Sequence, residues 1–211
     1  GKTSLAKVLV GVWKPLSGKV RLDGADICQW DKALLGPSIG YLPQDVELFD
    51  GTIAQNIARF AQNDSELIVA AALLAGVHEM ILRLPQGYDT LLGAGGYQLS
   101  GGQRQRIGLA RAVYNNPAFI VLDEPNANLD DAGEFALVKA INALRTQGQT
   151  TVIISHRPTL LGVVNKVLLL NDGVIQEFGT RDQVFAHLRQ ANVLKPVATP
   201  SPSTTEQQRE A

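Results

Sequence analysis

Two adjacent carboxylates end an apolar run near the middle of the chain. Asp123 and Glu124 follow the continuous apolar residues 119–122, a pattern typical of a strand buried on both faces of a parallel sheet. One carboxylate at such a strand end can hold Mg²⁺ beside phosphate groups, directly or through water. Its neighbour can polarise an attacking water molecule. The pair predicts metal-assisted hydrolysis, and a solvated acidic pair is the alternative.

The first four residues have the types found at the end of a phosphate-binding loop. Gly1-Lys2-Thr3-Ser4 matches the last part of the pattern G-x-x-x-x-G-K-[ST]. In that loop backbone amides cradle phosphates, the lysine neutralises their charge and the hydroxyl binds Mg²⁺. A helix is predicted at residues 4–12, and a helix N-terminus favours anions. Gly1 is interpreted as the second glycine of the loop, so the chain is expected to begin inside it; an ordinary helix start remains the alternative.

A serine and two glycines precede another predicted helix, at residues 101–114. In the string Leu99-Ser100-Gly101-Gly102-Gln103, glycines expose backbone amides to an anion without side-chain obstruction. A generic serine cap with flexible glycines is the alternative. The string predicts a second anion-binding element, far from the first in the sequence.

The elements that must position these residues alternate between strands and helices. Strands are predicted at residues 39–42, 119–122 and 151–154, with polar residues such as Gln44 and His156 soon after the first and the last. Parallel strands joined by helices bring such residues together at the carboxyl edge of the sheet. The sequence therefore predicts an α/β fold with a mostly parallel sheet and a mostly helical insertion.

The chain divides into two structured parts and a tail. Residues 1–43 and 104–195 are predicted to form the α/β core, and residues 44–103 a helical subdomain with one helix at residues 52–60. Residues 196–211 are rich in Pro, Ser, Thr and Gln without an apolar period, so this tail is predicted to be disordered. Further predictions are a strand at residues 19–22, a helix at 64–75 with Asp64 or Ser65 as its N-cap, a hairpin at 167–177, and packing roles for Trp13 and Trp30.

Composition excludes some classes of function. The 211 residues are 45% hydrophobic and 18% charged with a net charge of −1, which gives no general basic surface for nucleic acid. The single cysteine, Cys28, excludes an intrachain disulfide and agrees with a reducing compartment. No apolar stretch approaches the roughly 20 residues that cross a membrane as a helix, so the chain itself is expected to be soluble.

Taken together, these motifs resemble those of the ATP-binding-cassette (ABC) ATPases, a class of P-loop NTPases with a RecA-like core. The string at residues 99–103 is similar to the family signature, and the other motifs follow the family order over about residues 1–190. By this resemblance the remaining positions are the Q-loop glutamine Gln44, the Walker B aspartate Asp123, the catalytic glutamate Glu124, the D-loop aspartate Asp130 and the switch histidine His156.

The resemblance implies ATP and Mg²⁺ as cofactors and a head-to-tail dimer with ATP at its interface, and the two chains are expected to be identical. ATP would be bound by Gly1, Lys2, Thr3, Ser4 and Gln44 of one subunit. It would be capped by Leu99, Ser100, Gly101, Gly102 and Gln103 of the other. Thr3, Gln44 and Asp123 would hold Mg²⁺, while Glu124 would activate water and His156 would hold the γ-phosphate. A chain that lacks the start of the phosphate loop is expected to be inactive alone.

One segment resembles a narrower group. Residues 124–130, with asparagines at Asn126 and Asn128, are similar to bacterial type I secretion ATPases of the metalloprotease and lipase exporter kind. Residues 90–96 resemble the same group, although Ala94 stands where an acidic residue is expected. The resemblance implies a transmembrane domain in the same parent protein, a periplasmic adaptor, an outer-membrane channel and an unfolded polypeptide substrate. The location would be the cytoplasmic face of the bacterial inner membrane.

Two other classes stay open. A soluble ABC ATPase that acts on ribosomes or DNA is disfavoured for the DNA-repair type, because the stretch between Gln44 and Ser100 is too compact for an inserted coiled coil. A module that binds nucleotide without hydrolysing it is disfavoured because Glu124 and His156 are both present. No nucleic-acid partner is expected.

Overall fold

The computed structural model describes residues 1–62, 64–93 and 95–190. The predicted disordered tail and Ala94 lie outside the described residues. The helices are α1 (Lys2–Leu9), α2 (Lys32–Leu35), α3 (Ile53–Ile57), α4 (Ser65–Leu74), α5 (His78–Leu82), α6 (Gly101–Val113), α7 (Asp131–Thr146), α8 (Pro158–Leu161) and α9 (Arg181–Gln190). The strands are β1 (Arg21–Leu22), β2 (Ala25–Asp26), β3 (Ile39–Leu42), β4 (Gly51–Thr52), β5 (Leu91–Leu92), β6 (Phe119–Asp123), β7 (Thr150–Ile154), β8 (Lys166–Asn171) and β9 (Val174–Thr180).

The centre of the α/β fold is a parallel sheet of three strands in the order β3-β6-β7. In β6, Ile120, Val121 and Leu122 are all fully buried, as expected for a strand covered on both faces. Because the three strands are parallel, the residues that follow them all lie at the carboxyl edge of the sheet. The predicted α/β fold with a parallel sheet is confirmed.

Helix α6 packs closely on β3 because each element has a glycine at the contact. A Cβ atom on Gly40 would lie 2.1 Å from the carbonyl oxygen of Ala112, and one on Gly108 would lie 2.9 Å from Leu42 Cδ1. Side chains at either position would push the helix away from the sheet. This close packing fixes α6, and therefore the signature at its first turn, relative to the strand that leads to Gln44.

The helical part between β3 and α6 shares its apolar interior with the sheet. Ile53 and Ile57 of α3 belong to the same buried cluster as Ile107 of α6 and Ile120 of β6. The N-terminus of α4 is capped by Asp64, which accepts hydrogen bonds from the amides of the first turn, as predicted. The division into a core and a helical subdomain stays a prediction, but one continuous apolar core connects the two parts.

Several predicted elements have different bounds. The first helix spans Lys2–Leu9, not residues 4–12, and Gly11 then takes a left-handed conformation (φ +74°). The strand predicted at residues 19–22 is shorter and forms the hairpin β1–β2. Asp23 and Gly24 make its turn, both at positive φ, which suits the right-handed twist of a two-residue hairpin.

The helix predicted at residues 52–60 ends early, at Ile57. Arg59 and Phe60 both adopt left-handed backbone conformations (φ +56° and +58°), which cannot continue a right-handed helix. The Arg59 side chain donates hydrogen bonds to four backbone carbonyl groups that are distant in the sequence, those of Gly36, Ile39, Arg111 and Ala112. Contacts distant in sequence thus override the local helical pattern.

Candidate functional site

A polar cavity of about 210 Å³ opens at the carboxyl edge of the parallel sheet. Each parallel strand supplies a residue near its end, and α1 supplies the opposite wall. The lining residues are Gly1, Lys2, Thr3, Ser4, Gln44, Glu124, Ile154 and His156. The structure therefore brings together all seven residues predicted to bind ATP or catalyse its hydrolysis within one subunit, from four separate regions of the sequence, with Ile154 beside them.

The imidazole of His156 meets the carboxylate of Glu124 across this cavity. The distance from His156 Nε2 to Glu124 Oε1 is 3.1 Å, and the side chain of His156 is 70% exposed against 19% for Glu124. The backbone of Glu124 is left-handed (φ +49°), a conformation that costs energy in a non-glycine residue and often marks a functional position. Its N–H donates to the carbonyl oxygen of Ile154 at 2.8 Å, which ties the end of β6 to the end of β7.

Asp123 fits a bound cation. Its side chain is fully buried, and neither carboxylate oxygen has a hydrogen-bond partner among the described residues. Burial, and then the nearby negative charge of Asp123, raise the pKa of the Tyr41 phenol above its usual range. An unpaired buried carboxylate is costly unless a positive group reaches it.

Other ligands for that cation would have to be hydroxyl, amide or phosphate oxygens. In the described part of the chain, no three His, Cys, Asp or Glu side chains gather into a metal site. Thr3 and Gln44 line the cavity beside Glu124 and offer a hydroxyl and an amide oxygen. Such a mixed oxygen set, completed by phosphate and water, suits Mg²⁺.

The first turn of α1 forms a wall of the cavity that is suited to an anion. Gly1 is the N-cap of this helix, and no acidic residue occupies the first turn. The amides of a first helical turn lack partners inside the helix, and the helix dipole favours negative charge there. Because Lys2 adds a full positive charge at the same place, this wall suits a phosphate group.

The signature residues lie outside the cavity. Ser100 caps α6 in a reciprocal arrangement: the Gln103 N–H donates to Ser100 Oγ at 3.2 Å, and the Ser100 N–H donates to Gln103 Oε1 at 2.8 Å. A Cβ on Gly102 would lie 2.7 Å from the carbonyl oxygen of Asn128, so glycine permits this approach. Leu99 is buried and Ser100 is exposed. The structure therefore does not bring the signature to the cavity of its own chain.

Residues 1–127 match the family model described as "ABC transporter". The chain belongs to the ABC transporter family. The type I secretion system ATP-binding protein PrsD of Rhizobium meliloti (strain 1021) is 53% identical over 205 residues, which cover 94% of this chain and 35% of that protein. The ATP-dependent lipid A-core flippase of Chromohalobacter salexigens is 38% identical over 187 residues, 88% of this chain and 32% of the flippase.

A solved ABC structure has the same fold. A bacterial Atm1-family ABC exporter with ATP bound is 31% identical, with a TM-score of 0.79 over 92% of this chain and 35% of the exporter chain. This ABC chain thus spans about a third of the length of PrsD and of the exporter. No helix within the described residues has the length and apolar character needed to cross a membrane.

Some hydrogen bonds of polar residues around the ABC motifs were not predicted from the sequence. Gln105 is buried on α6, and its Nε2 donates to the carbonyl oxygen of Glu124 at 3.4 Å. Asn126 is also buried, and its Oδ1 accepts a hydrogen bond from Ser155. Asp130, a predicted D-loop residue, caps α7 by accepting from the Gly133 N–H at 2.8 Å. Each of these residues lies within a few positions of a motif, and that proximity was the signal in the sequence that could have indicated them.

Proposed function

We propose that this chain is the part of an ABC exporter that binds and hydrolyses ATP. One observation carries the proposal: Glu124 and His156 meet at 3.1 Å on a cavity whose other wall is the Lys2–Thr3 end of α1. A carboxylate, an imidazole and a phosphate-binding helix end around one space are the parts that phosphoryl transfer to water requires.

The residues divide the work between binding and catalysis. Lys2 and the first-turn amides of α1 hold the phosphates, and Thr3, Gln44 and Asp123 hold Mg²⁺. When bound, Mg²⁺ neutralises phosphate charge that develops during the reaction. Glu124 orients the attacking water and accepts its proton, and its contact with His156 keeps both side chains directed at one region. Catalysis would come mainly from positioning and fixed charge.

The signature would act on the ATP of a partner chain. Its exposed Ser100 and the glycine amides at the start of α6 can receive an anion, yet they do not line the cavity of their own chain. A head-to-tail dimer would bring the two anion-binding elements together. The proposed site thus uses two copies of the chain.

We further propose that the parent protein exports a polypeptide. The 53% identity to PrsD and the asparagines of residues 124–130 support type I secretion over the other exporter types. In this proposal the parent protein has a transmembrane domain in the bacterial inner membrane, with this chain on the cytoplasmic face. A periplasmic adaptor and an outer-membrane channel complete the pathway.

Glu124→Gln in the full-length protein tests the hydrolytic proposal. The amide keeps the shape of the side chain but cannot accept the proton of water, so turnover should fall about 10²–10⁴-fold. ATP affinity should persist because the phosphate-binding wall is unchanged. Turnover within a few-fold of the parent would contradict the role of Glu124.

The transport proposal needs a separate readout. Secretion of a polypeptide by cells that express the protein should stop with Glu124→Gln and continue with Asn142→Ala, a change on α7 away from the cavity. If Glu124→Gln abolishes hydrolysis but polypeptide secretion does not change, the proposal of ATP hydrolysis stands and the proposal of protein export fails.

A further inference from the structure

The segment that carries His156 is held by side chains that do not line the cavity. Ser155 Oγ donates a hydrogen bond to Asn126 Oδ1 at 3.2 Å. Ser155 Oγ also accepts a hydrogen bond from the Arg157 N–H at 3.1 Å. Ser155 therefore binds the residue on the far side of His156 and, at the same time, the loop that follows β6.

Asn126 is much more buried than His156. Asn126 is only 2% exposed, whereas the side chain of His156 is 70% exposed. An exposed imidazole has rotational freedom that must be restricted before it can hold a reacting group. A buried amide on the adjacent loop provides a fixed point for that restriction.

A second contact holds the other end of the segment. Thr159 Oγ1 donates to Glu134 Oε1 at 2.5 Å, and Arg157 Nη1 lies 3.6 Å from Glu134 Oε2. Glu134 stands in the first turn of α7, which follows the loop that contains Asn126. The two anchors of the His156 segment therefore lie in the loop after β6 and in the first turn of the helix that follows it.

We propose that Asn126 is a positioning residue that acts through Ser155 to hold His156 against Glu124. This inference rests on the proposed function, because it assigns Asn126 a role in the same hydrolysis. The loop that bears Asn126 begins at Glu124 itself, so one short segment sets the positions of both cavity side chains. Misplacement of a catalytic group by about 1 Å can cost 10²-fold in rate.

The test is a double-mutant cycle in the full-length protein, with steady-state ATP hydrolysis as the assay. Asn126→Ala and Ser155→Ala should each lower kcat about 10–100-fold, as expected for a misplaced group. The KM for ATP should change by less than about 3-fold, since the phosphate-binding residues are untouched. Both changes remove the hydrogen bond between Ser155 and Asn126, and Ser155→Ala also removes the one from Arg157. The double variant should therefore be no slower than the slower single variant.

Conservative and matched variants separate positioning from folding. Ser155→Thr keeps the hydroxyl and should retain kcat within about 3-fold if the hydrogen bond is what matters. Asn142→Ala, the same chemical change on α7, should leave kcat and the melting temperature unchanged. If Asn126→Ala does not fold, the comparison of Ser155→Ala with Ser155→Thr still measures the contribution of the hydroxyl.

Several outcomes would overturn the inference. The rate losses of the two single variants could multiply in the double variant, or the losses could appear in KM instead of kcat. Ser155→Thr could also be as slow as Ser155→Ala. Glu124→Gln, run in the same assay, identifies the other failure: if it keeps turnover, the proposed function fails. If Glu124→Gln loses turnover while Asn126→Ala and Ser155→Ala keep it, only the positioning role fails.

Discussion

Arg59 should contribute more to stability than the exposed arginines among the described residues. Its guanidinium donates to the carbonyl oxygens of Arg111 (2.9 Å), Ala112, Ile39 and Gly36 (3.0 Å each). The first two carbonyls belong to the last turn of α6, where no intrahelical donor is available. Burial, and then the charge of Arg111, lower the pKa of Arg59, but an arginine keeps its charge at any ordinary pH.

The magnitude follows from which carbonyls water can reach. The Gly36 contact is exposed, and the other three are partly buried. Water can replace the exposed contact, so Arg59→Met should cost about 1–1.5 kcal/mol for each of the other three, or roughly 3–4.5 kcal/mol in all. At about 2–4 °C per kcal/mol for a domain of this size, the melting temperature should fall by roughly 6–18 °C.

The assay is urea unfolding of the purified protein, followed by far-UV circular dichroism. Arg59→Lys keeps the charge but not the planar fork and should lie between the parent and Arg59→Met. Arg83→Met is the matched control, because Arg83 is exposed at the end of α5, and it should cost less than about 0.5 kcal/mol. A difference below about 1 kcal/mol between Arg59→Met and Arg83→Met would refute the reasoning.

Two further predictions concern the buried Asp123 and the proposed partner chain. Asp123→Asn should raise the unfolding free energy of the nucleotide-free protein by about 1–3 kcal/mol, because it removes an unpaired buried charge, and thermal unfolding should show no added stabilisation by Mg²⁺ with ATP. Lower stability of the variant without ligand would contradict this reading of the buried carboxylate. A heterodimer of a Lys2→Ala chain with a Ser100→Arg chain should recover ATPase activity that neither mutant homodimer has, since one ATP site at the interface then carries both changes and the other site carries neither. No recovery in a verified heterodimer would count against a site shared between chains.

The sequence predicts the sheet and the cavity well because both depend on local patterns. The strand at Ile39–Leu42 has the predicted bounds, and those at Phe119–Asp123 and Thr150–Ile154 differ by a residue. Apolar runs followed by polar residues place the latter at one sheet edge in any parallel arrangement. The juxtaposition of Glu124 and His156 follows from that topology.

The parts that could not be predicted depend on contacts distant in sequence. The helix at residues 53–57 stops where Arg59 reaches α6, whose sequence is about 50 positions away. Trp13 and Trp30 were predicted to pack, but they are 48% and 40% exposed, so that prediction was wrong. The hydrogen bond from Ser155 to Asn126 joins two loops and leaves no periodic signal in either.

The shared apolar core limits how this family member can be recombined with its relatives. Helix α6 begins at the signature and packs on α3, α4 and β3 at once. An exchange of residues 44–103 would cut α6 within its first turn and leave Ile107 and Val113 from one parent against α3 and α4 from the other. Mismatched volumes there would leave cavities or clashes. Viable hybrids should therefore inherit the helical segment and the whole of α6 from the same parent, as a single unit of exchange.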